Sequence, residues 1–386
     1  MKIGMFSDSF FPTVGGRENV IDNSVRALSK RNEIFVCAPK MKGEIKGKTD
    51  KDLPYKVYRC NSIRVAREDY LSLPEKKFKK IVEAEKPDII HCQTKYGLLN
   101  YAFKLRKKYN IPVVTTIHTN YKCVYEQVLP KLISKFAIKR VVRLLNKCDK
   151  IFAVSNYMKN QVQSLGVKKD IVVIKNGINA YESKLSKQEQ FDLINKTYNI
   201  DDCTFVFLFV GRLYEVKNIM FQLETIKKLK DLTDKKFVFM IVGSGPDEQK
   251  YKDFCDKNNL NDCVKFTGVI TNTDTLSAIY SRANIFYFAS IRDNDPLTIV
   301  EAAYNGTPSL VIKDTGGSER ITDKHNGFIV EDNMDKVTNY LYDLLIGRFD
   351  LNLIGQYAKN EIPRTWDEIA KDFENEYKNI IQKFKK

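Results

Sequence analysis

The chain has 386 residues, 43% of them hydrophobic, and a formal net charge of +16. That length can build two cores, whereas no apolar run is long enough to span a bilayer. The first residues enter a strand-like segment without the apolar core of a secretory leader, so a cytoplasmic protein is expected.

Eight cysteines are scattered without C-x-x-C spacing, which points to free thiols rather than a thiolate metal site. The charge is lopsided. Residues 1–178 carry 36 Lys and Arg against 16 Asp and Glu, and the remainder carries 28 against 32. The first half should therefore meet something anionic. It has no interleaved aromatic stacking platform, so nucleic acid is not the expected partner.

Apolar runs of strand length predict strands at 2–6, 33–38, 88–92, 113–117, 150–154 and 171–175. A polar stretch at 181–202 follows. A second series lies at 204–210, 236–242, 264–267, 284–288, 309–312 and 327–330. Amphipathic helical segments separate most of these runs, the pattern of an α/β protein with parallel sheets covered on both faces. The expected organisation is a doubly wound, Rossmann-like domain over 1–178 and a second over 179–365. Residues 366–386 are expected to form an amphipathic helix that packs back on the first domain.

The motifs fall in the loops after strands. Gly15 and Gly16 precede a helix and lack a Cβ, so a phosphate or sugar can come close to their backbone. His118 opens the loop after 113–117, where it can donate a hydrogen bond to a substrate oxygen. Gly211, Arg212 and Lys217 follow the strand at 204–210, and the two cations suit the charge of a leaving diphosphate. Gly243 and Gly245 make a tight turn after the next strand. Asp293 and Glu301 place two hydroxyl-binding carboxylates around a helix start, where Asn294, Leu297 and Thr298 keep their donors. Asp295 is read as a cap for that helix, with Pro296 as its first residue.

This series resembles glycosyltransferase family 4 over almost the whole chain. The resemblance implies the GT-B fold, two Rossmann-like domains facing a central cleft. It also implies retaining, metal-independent transfer from a nucleotide sugar, commonly a UDP-sugar, with no further cofactor. Arg212 and Lys217 would bind the diphosphate, Glu301 the ribose, Asp293 the donor hydroxyls, and His118 the reacting sugar region. The chain departs from the family at Asp293-Asn294-Asp295-Pro296, where a Glu followed by Gly-Phe-Gly is usual. Asp293 is shorter by about one methylene, and Pro296 lacks an N–H. Asp-Asn-Asp also matches a D-x-D metal pattern, but the Arg/Lys pair belongs to the metal-free architecture.

For the acceptor, Lys131, Lys135, Lys139 and Arg143 repeat every four residues with Arg140 beside them, and Lys147 continues the spacing. Leu132, Ile133, Phe136, Val141, Leu144 and Leu145 supply apolar surface. Such a helix can lie on an anionic leaflet. A sugar or lipid acceptor is expected, with peripheral attachment to the inner face of the cell membrane. A nucleotide-sugar epimerase of the same fold and a non-catalytic sugar-nucleotide-binding protein are the alternative readings.

Overall fold

A computed structural model of the chain describes residues 1–12, 15–41, 50–64, 70–93 and 97–385. Thr13 and Val14 of the first glycine loop lie outside the described residues. The chain divides into two compact units, residues 1–179 with 364–386, and residues 180–363.

In the first unit the strands are β1 (Lys2–Phe6), β2 (Glu33–Pro39), β3 (Lys56–Arg64), β4 (Tyr70–Leu73), β5 (Ile89–Cys92), β6 (Val113–Ile117), β7 (Lys150–Ala153) and β8 (Ile171–Val173). They form one sheet in the order β4-β3-β2-β1-β5-β6-β7-β8. Only the β3/β4 pair is antiparallel. Ile3 of β1 aligns with Ile34 on one side and Ile89 on the other, so the strand order reverses between β1 and β5. Ligands of open α/β sheets bind beyond the carboxyl ends of the strands at such a reversal. β3 and β4 are the strands the sequence reading does not predict. β3 interleaves charged and polar side chains with apolar ones and buries only Cys60, as a strand near a sheet edge does.

The helix Trp366–Lys385 belongs to the first unit. Trp366, Ile369, Phe373, Tyr377 and Ile380 recur at helical spacing and are its buried stripe. Thr365 and Glu368 exchange backbone and side-chain hydrogen bonds at its start, a capping box. Glu374 then accepts from Arg31 Nε at 3.0 Å and Asn32 Nδ2 at 2.8 Å.

The second unit contains β9 (Phe205–Val210), β10 (Phe237–Val242), β11 (Val264–Gly268), β12 (Ile285–Phe288), β13 (Ser309–Ile312) and β14 (Phe328–Val330). The order β11-β10-β9-β12-β13-β14 is fully parallel and follows the Rossmann pattern. Its reversal lies between β9 and β12, where Phe207 aligns with Ile285. The sequences Phe-Val-Phe-Leu-Phe-Val and Phe-Val-Phe-Met-Ile-Val of β9 and β10 are continuously apolar because helices cover both faces.

Among the described residues no helix is long and apolar enough to cross a membrane. All eight cysteines are free thiols, and six of them are buried.

Candidate active site

The loops after β9 and β12 meet at the sheet reversal of the second unit. β9 delivers Gly211 and Arg212, and a single 3-10 turn, Glu215–Lys217, carries Lys217 to the head of the helix Ile219–Leu232. Asn218 takes a left-handed conformation there, and its Nδ2 donates to Ala289 O at 3.1 Å. Ser290 Oγ donates to Val216 O at 3.1 Å. These two bonds fix the loop after β9 against the loop after β12. Lys217 Nζ consequently lies 2.7 Å from Asp293 Oδ1, with both side chains about a fifth exposed. Its ammonium also sits 5.6 Å from the Phe288 ring centre. Arg212 lies over the ring of Tyr214 at 5.5 Å. The salt bridge of Lys217 is therefore to Asp293.

Two glycines are required by backbone contact. Gly243 has φ of +129°, and a Cβ there would stand 1.9 Å from Gly211 O. A Cβ on Gly245 would stand 2.1 Å from Leu213 O. The loop after β10 thus rests directly on the backbone that presents Arg212. Gly316 does the same service for the acidic loop, since its Cβ would lie 2.2 Å from Asn294 O.

Asp295 does not act as the expected cap. The helix Leu297–Tyr304 has Pro296 at its N-cap and no side-chain capping bond, and Pro296 precedes its first residue rather than filling it. The Asp295 carboxylate is turned into the unit, where Arg320 Nε and Nη2 donate to it at 2.7 and 2.9 Å. Both side chains are almost fully buried. A guanidinium offering a planar fork to a carboxylate outcompetes backbone N–H capping at this distance. Leu297 and Thr298 open the helix, and Glu301 follows one turn later, accepting from Tyr280 Oη at 2.8 Å. Burial raises the Glu301 pKa, while the bond from Tyr280 opposes that rise. Both ends of the Asp-Asn-Asp segment therefore engage cations of the protein. Among the described residues there is no group of three or more His, Cys, Asp or Glu that could hold a metal ion.

In the first unit, Gly15 is the extended N-cap of the helix Gly16–Ser29. A Cβ at Gly15 would meet Glu18 Oε2 at 2.6 Å, so the group nearest this glycine is the protein's own carboxylate. Among the described residues, no atom beyond the chain neighbours and the helix's own backbone lies within 4 Å of a Cβ built on Gly16. Buried Glu18 accepts from Ser9 Oγ and, at 3.2 Å, from Arg17 Nε. His118 is half-buried beyond β6, and its Nε2 is 2.6 Å from Gln93 Oε1. Burial first, and the charge of Arg17 second, bring its pKa down to about 3, so the ring is neutral at pH 7.

His118, Gln93, Arg17 and Asp8 are among the polar residues lining a cavity of about 620 Å³. Val124, Val128, Leu129, Ile133, Phe136 and Ala137 contribute apolar lining to it. Those residues come from the helices Tyr121–Val128 and Lys131–Leu145 and the turn between them. The second of these helices is the basic one. Lys131, Lys135, Lys139, Arg140 and Arg143 are exposed on it, as are Leu132 at 70%, Ile133 and Phe136 at 69%. Arg140 also lines the cavity. Val141, Leu144 and Leu145 point into the core instead of adding to the outer face, and Lys147 lies past the helix end.

The profile described as Glycosyltransferase Family 4 matches residues 14–181, and the one described as Glycosyl transferases group 1 matches residues 190–361. The chain is a family 4 glycosyltransferase. An alpha-monoglucosyldiacylglycerol synthase from Streptococcus pneumoniae is 27% identical to this glycosyltransferase over 367 residues, covering 91% of this chain and 80% of that one. A second alpha-monoglucosyldiacylglycerol synthase, from Acholeplasma laidlawii, is 25% identical over 403 residues and covers 99% and 98%. Among solved structures, Anabaena HepE in complex with UDP superposes with a TM-score of 0.79 at 17% identity, covering 98% of this chain and 100% of that one. That likeness places the glycosyltransferase in the GT-B fold. Glu18, Gln93, Gly316 and Arg320 escape the sequence reading. For Glu18 the usable signal was an acidic residue in the first turn of a helix that follows a glycine pair.

Proposed function

We propose that this glycosyltransferase moves a hexose from a UDP-linked sugar to a membrane lipid acceptor, with retention at the anomeric carbon and without a metal. The observation that carries the donor half is the Lys217–Asp293 contact at the sheet reversal of the second unit, 2.7 Å long. It sets a cation for the diphosphate beside a carboxylate for the sugar hydroxyls, with Arg212 as the second cation. As the bond to the anomeric carbon breaks, negative charge grows on the diphosphate, and fixed cations stabilise it without reorganising. Glu301 accepts from the ribose hydroxyls, and the helix start at Leu297 and Thr298 offers N–H donors to phosphate oxygens. Gly15, Gly16 and His118 keep the sugar-binding roles that the family resemblance implies for them. The UDP and UDP-glucose complexes of Anabaena HepE support this donor class.

The acceptor half rests on the cavity of the first unit and the helix beside it. The polar lining residues, His118 among them, suit the reacting hydroxyl, and the apolar lining suits a hydrocarbon portion. Lys131, Lys135, Lys139, Arg140 and Arg143 attract an anionic leaflet, and exposed Leu132 and Phe136 enter it. The likeness to two alpha-monoglucosyldiacylglycerol synthases favours a glycerolipid acceptor.

The test is turnover with UDP-glucose, UDP-galactose and GDP-mannose, each with dispersed diacylglycerol and in the presence of chelator. A glycosylated lipid with the donor's anomeric configuration is expected from one UDP-sugar. An altered free sugar nucleotide, formed with no acceptor, would establish epimerisation instead.

A further inference from the structure

Two of the three histidines in the chain are joined through one glutamine, and the line continues to the C-terminal helix. We infer that Tyr377 acts through His91 and Gln93 as a positioning residue that fixes the tautomer of His118. All four residues belong to the first unit.

His91 lies in β5 and is 1% exposed. Its Nδ1 is hydrogen-bonded to Tyr377 Oη. Its Nε2 is 2.7 Å from Thr116 Oγ1 and 3.3 Å from Gln93 Nε2. Gln93 Nε2 also points at Met5 Sδ, 3.1 Å away. The thioether sulfur can only accept, so the amide NH2 belongs on this side of Gln93 and the carbonyl on the other. An NH2 facing His91 requires a lone pair at Nε2, which the Thr116 hydroxyl also donates to. The His91 proton then resides on Nδ1, and Tyr377 Oη accepts it.

The same orientation turns Gln93 Oε1 toward His118 Nε2 at 2.6 Å. A carbonyl oxygen only accepts. His118 therefore carries its proton on Nε2, and its Nδ1 bears the lone pair. In this form Nδ1 can receive a proton or a hydrogen bond from a hydroxyl. It cannot supply the donor that the sequence reading assigned to this ring. The alternative arrangement reverses every link. Tyr377 donates to His91 Nδ1, His91 Nε2–H donates to Thr116, Gln93 turns over, and His118 becomes a donor at Nδ1. Only the first arrangement gives the NH2 of Gln93 acceptors on both sides of its contact with Met5 and His91. Tyr377 holds it there because a buried His91 Nδ1–H would otherwise lack its acceptor.

Burial keeps both rings uncharged, each with a pKa near 3, so the choice is between neutral tautomers rather than between charge states. The wrong tautomer of a catalytic imidazole is costly even when its position is kept. The inference rests on the reading of His118 as a group near the reacting sugar, and its test has a readout independent of turnover.

The full chain is labelled with ¹⁵N in its histidine rings, and long-range ¹H–¹⁵N correlations assign each tautomer, His→Gln variants identifying the signals. The wild type is expected to show His91 as Nδ1–H and His118 as Nε2–H. Tyr377→Phe should convert both rings and lower kcat about tenfold with the KM for the donor unchanged. Adding Gln93→Glu, whose carboxylate can only accept, should return His118 to Nε2–H. A wild-type His118 found as Nδ1–H overturns the inference even if no variant folds. So does a Tyr377→Phe protein in which His91 converts and His118 does not. If both rings convert while turnover is unchanged, the coupling stands and the role given to His118 in catalysis falls.

Discussion

Lys217 Nζ touches Asp293 Oδ1 at 2.7 Å across the point where the strand order of the second sheet reverses, although 76 residues separate them in sequence. In the proposed reaction the diphosphate must share an ammonium that a carboxylate already holds. The two residues should therefore respond to mutation with opposite signs for nucleotide binding. Asp293→Asn removes a negative charge from the phosphate site and is expected to tighten UDP by roughly three- to tenfold while lowering turnover. Lys217→Ala is expected to lower kcat/KM by about 10²–10³. Calorimetric titration with UDP and initial rates on the same preparations check both. Neither change should alter the free energy of unfolding in urea by more than about 1 kcal/mol, because both side chains are partly exposed.

The neighbouring carboxylate behaves differently. Asp295 and Arg320 form a buried bidentate pair, so Asp295→Ala leaves a buried guanidinium without its counter-charge. A loss of about 3–5 kcal/mol is expected. Chemical unfolding measures it. If Asp295 were a metal ligand in the working enzyme, chelator would reproduce the loss in the wild type, and no such effect is expected.

The fold was legible because its strands are short, apolar on both faces and separated by helical periodicity. β3 and β4 were not, since β3 interleaves charged residues with apolar ones and buries only Cys60, and β4 is a four-residue strand, Tyr-Leu-Ser-Leu, too short to stand out. The site was legible by type more than by arrangement. Lys217 and Asp293 each stood out, but the pairing that joins them depends on strand order, which no local pattern encodes. Asp295 looked like a helix cap because it precedes a proline and an apolar run. Its true partner lies 25 residues further on, in a turn with no sequence signature. Gln93 is a neutral residue two positions past a buried histidine, and nothing in its composition marks it.

Acid should unfold the protein through its buried histidines. His91 and His118 have folded pKa values near 3 against an ordinary value of 6.5, so between those limits the unfolded chain binds protons that the folded one refuses. Their contribution is complete above pH 6.5 and declines as pH falls, at about 1.4 kcal/mol per pH unit for each ring. The pH dependence of unfolding between 6 and 5, above the ordinary carboxylate range, reads this effect, and Glu301→Gln removes the carboxylate whose raised pKa could overlap it. His118→Gln should reduce the slope by one proton.

Membrane attachment through the basic helix is expected to have two separable components. Phe136→Asp should weaken binding to anionic vesicles at all salt concentrations. Lys135→Glu should weaken it chiefly at low salt, by more than the roughly 1 kcal/mol that one lysine contributes, because the charge is reversed. Vesicle flotation over a salt series distinguishes them. Both positions are exposed, so thermal unfolding should be unaffected.

The return of the last helix to the first unit has a consequence for synthesis. Tyr377 meets His91 only after 286 further residues have been made, and the whole of the second unit lies between them. At about 5–20 residues per second this is a wait of roughly a quarter of a minute to a minute. During that time the face destined for Phe373 and Tyr377 has no helix against it, while residues 180–363 already have the chain they need to fold. The order of completion on the ribosome is therefore the reverse of the order of synthesis: the unit that starts first finishes last.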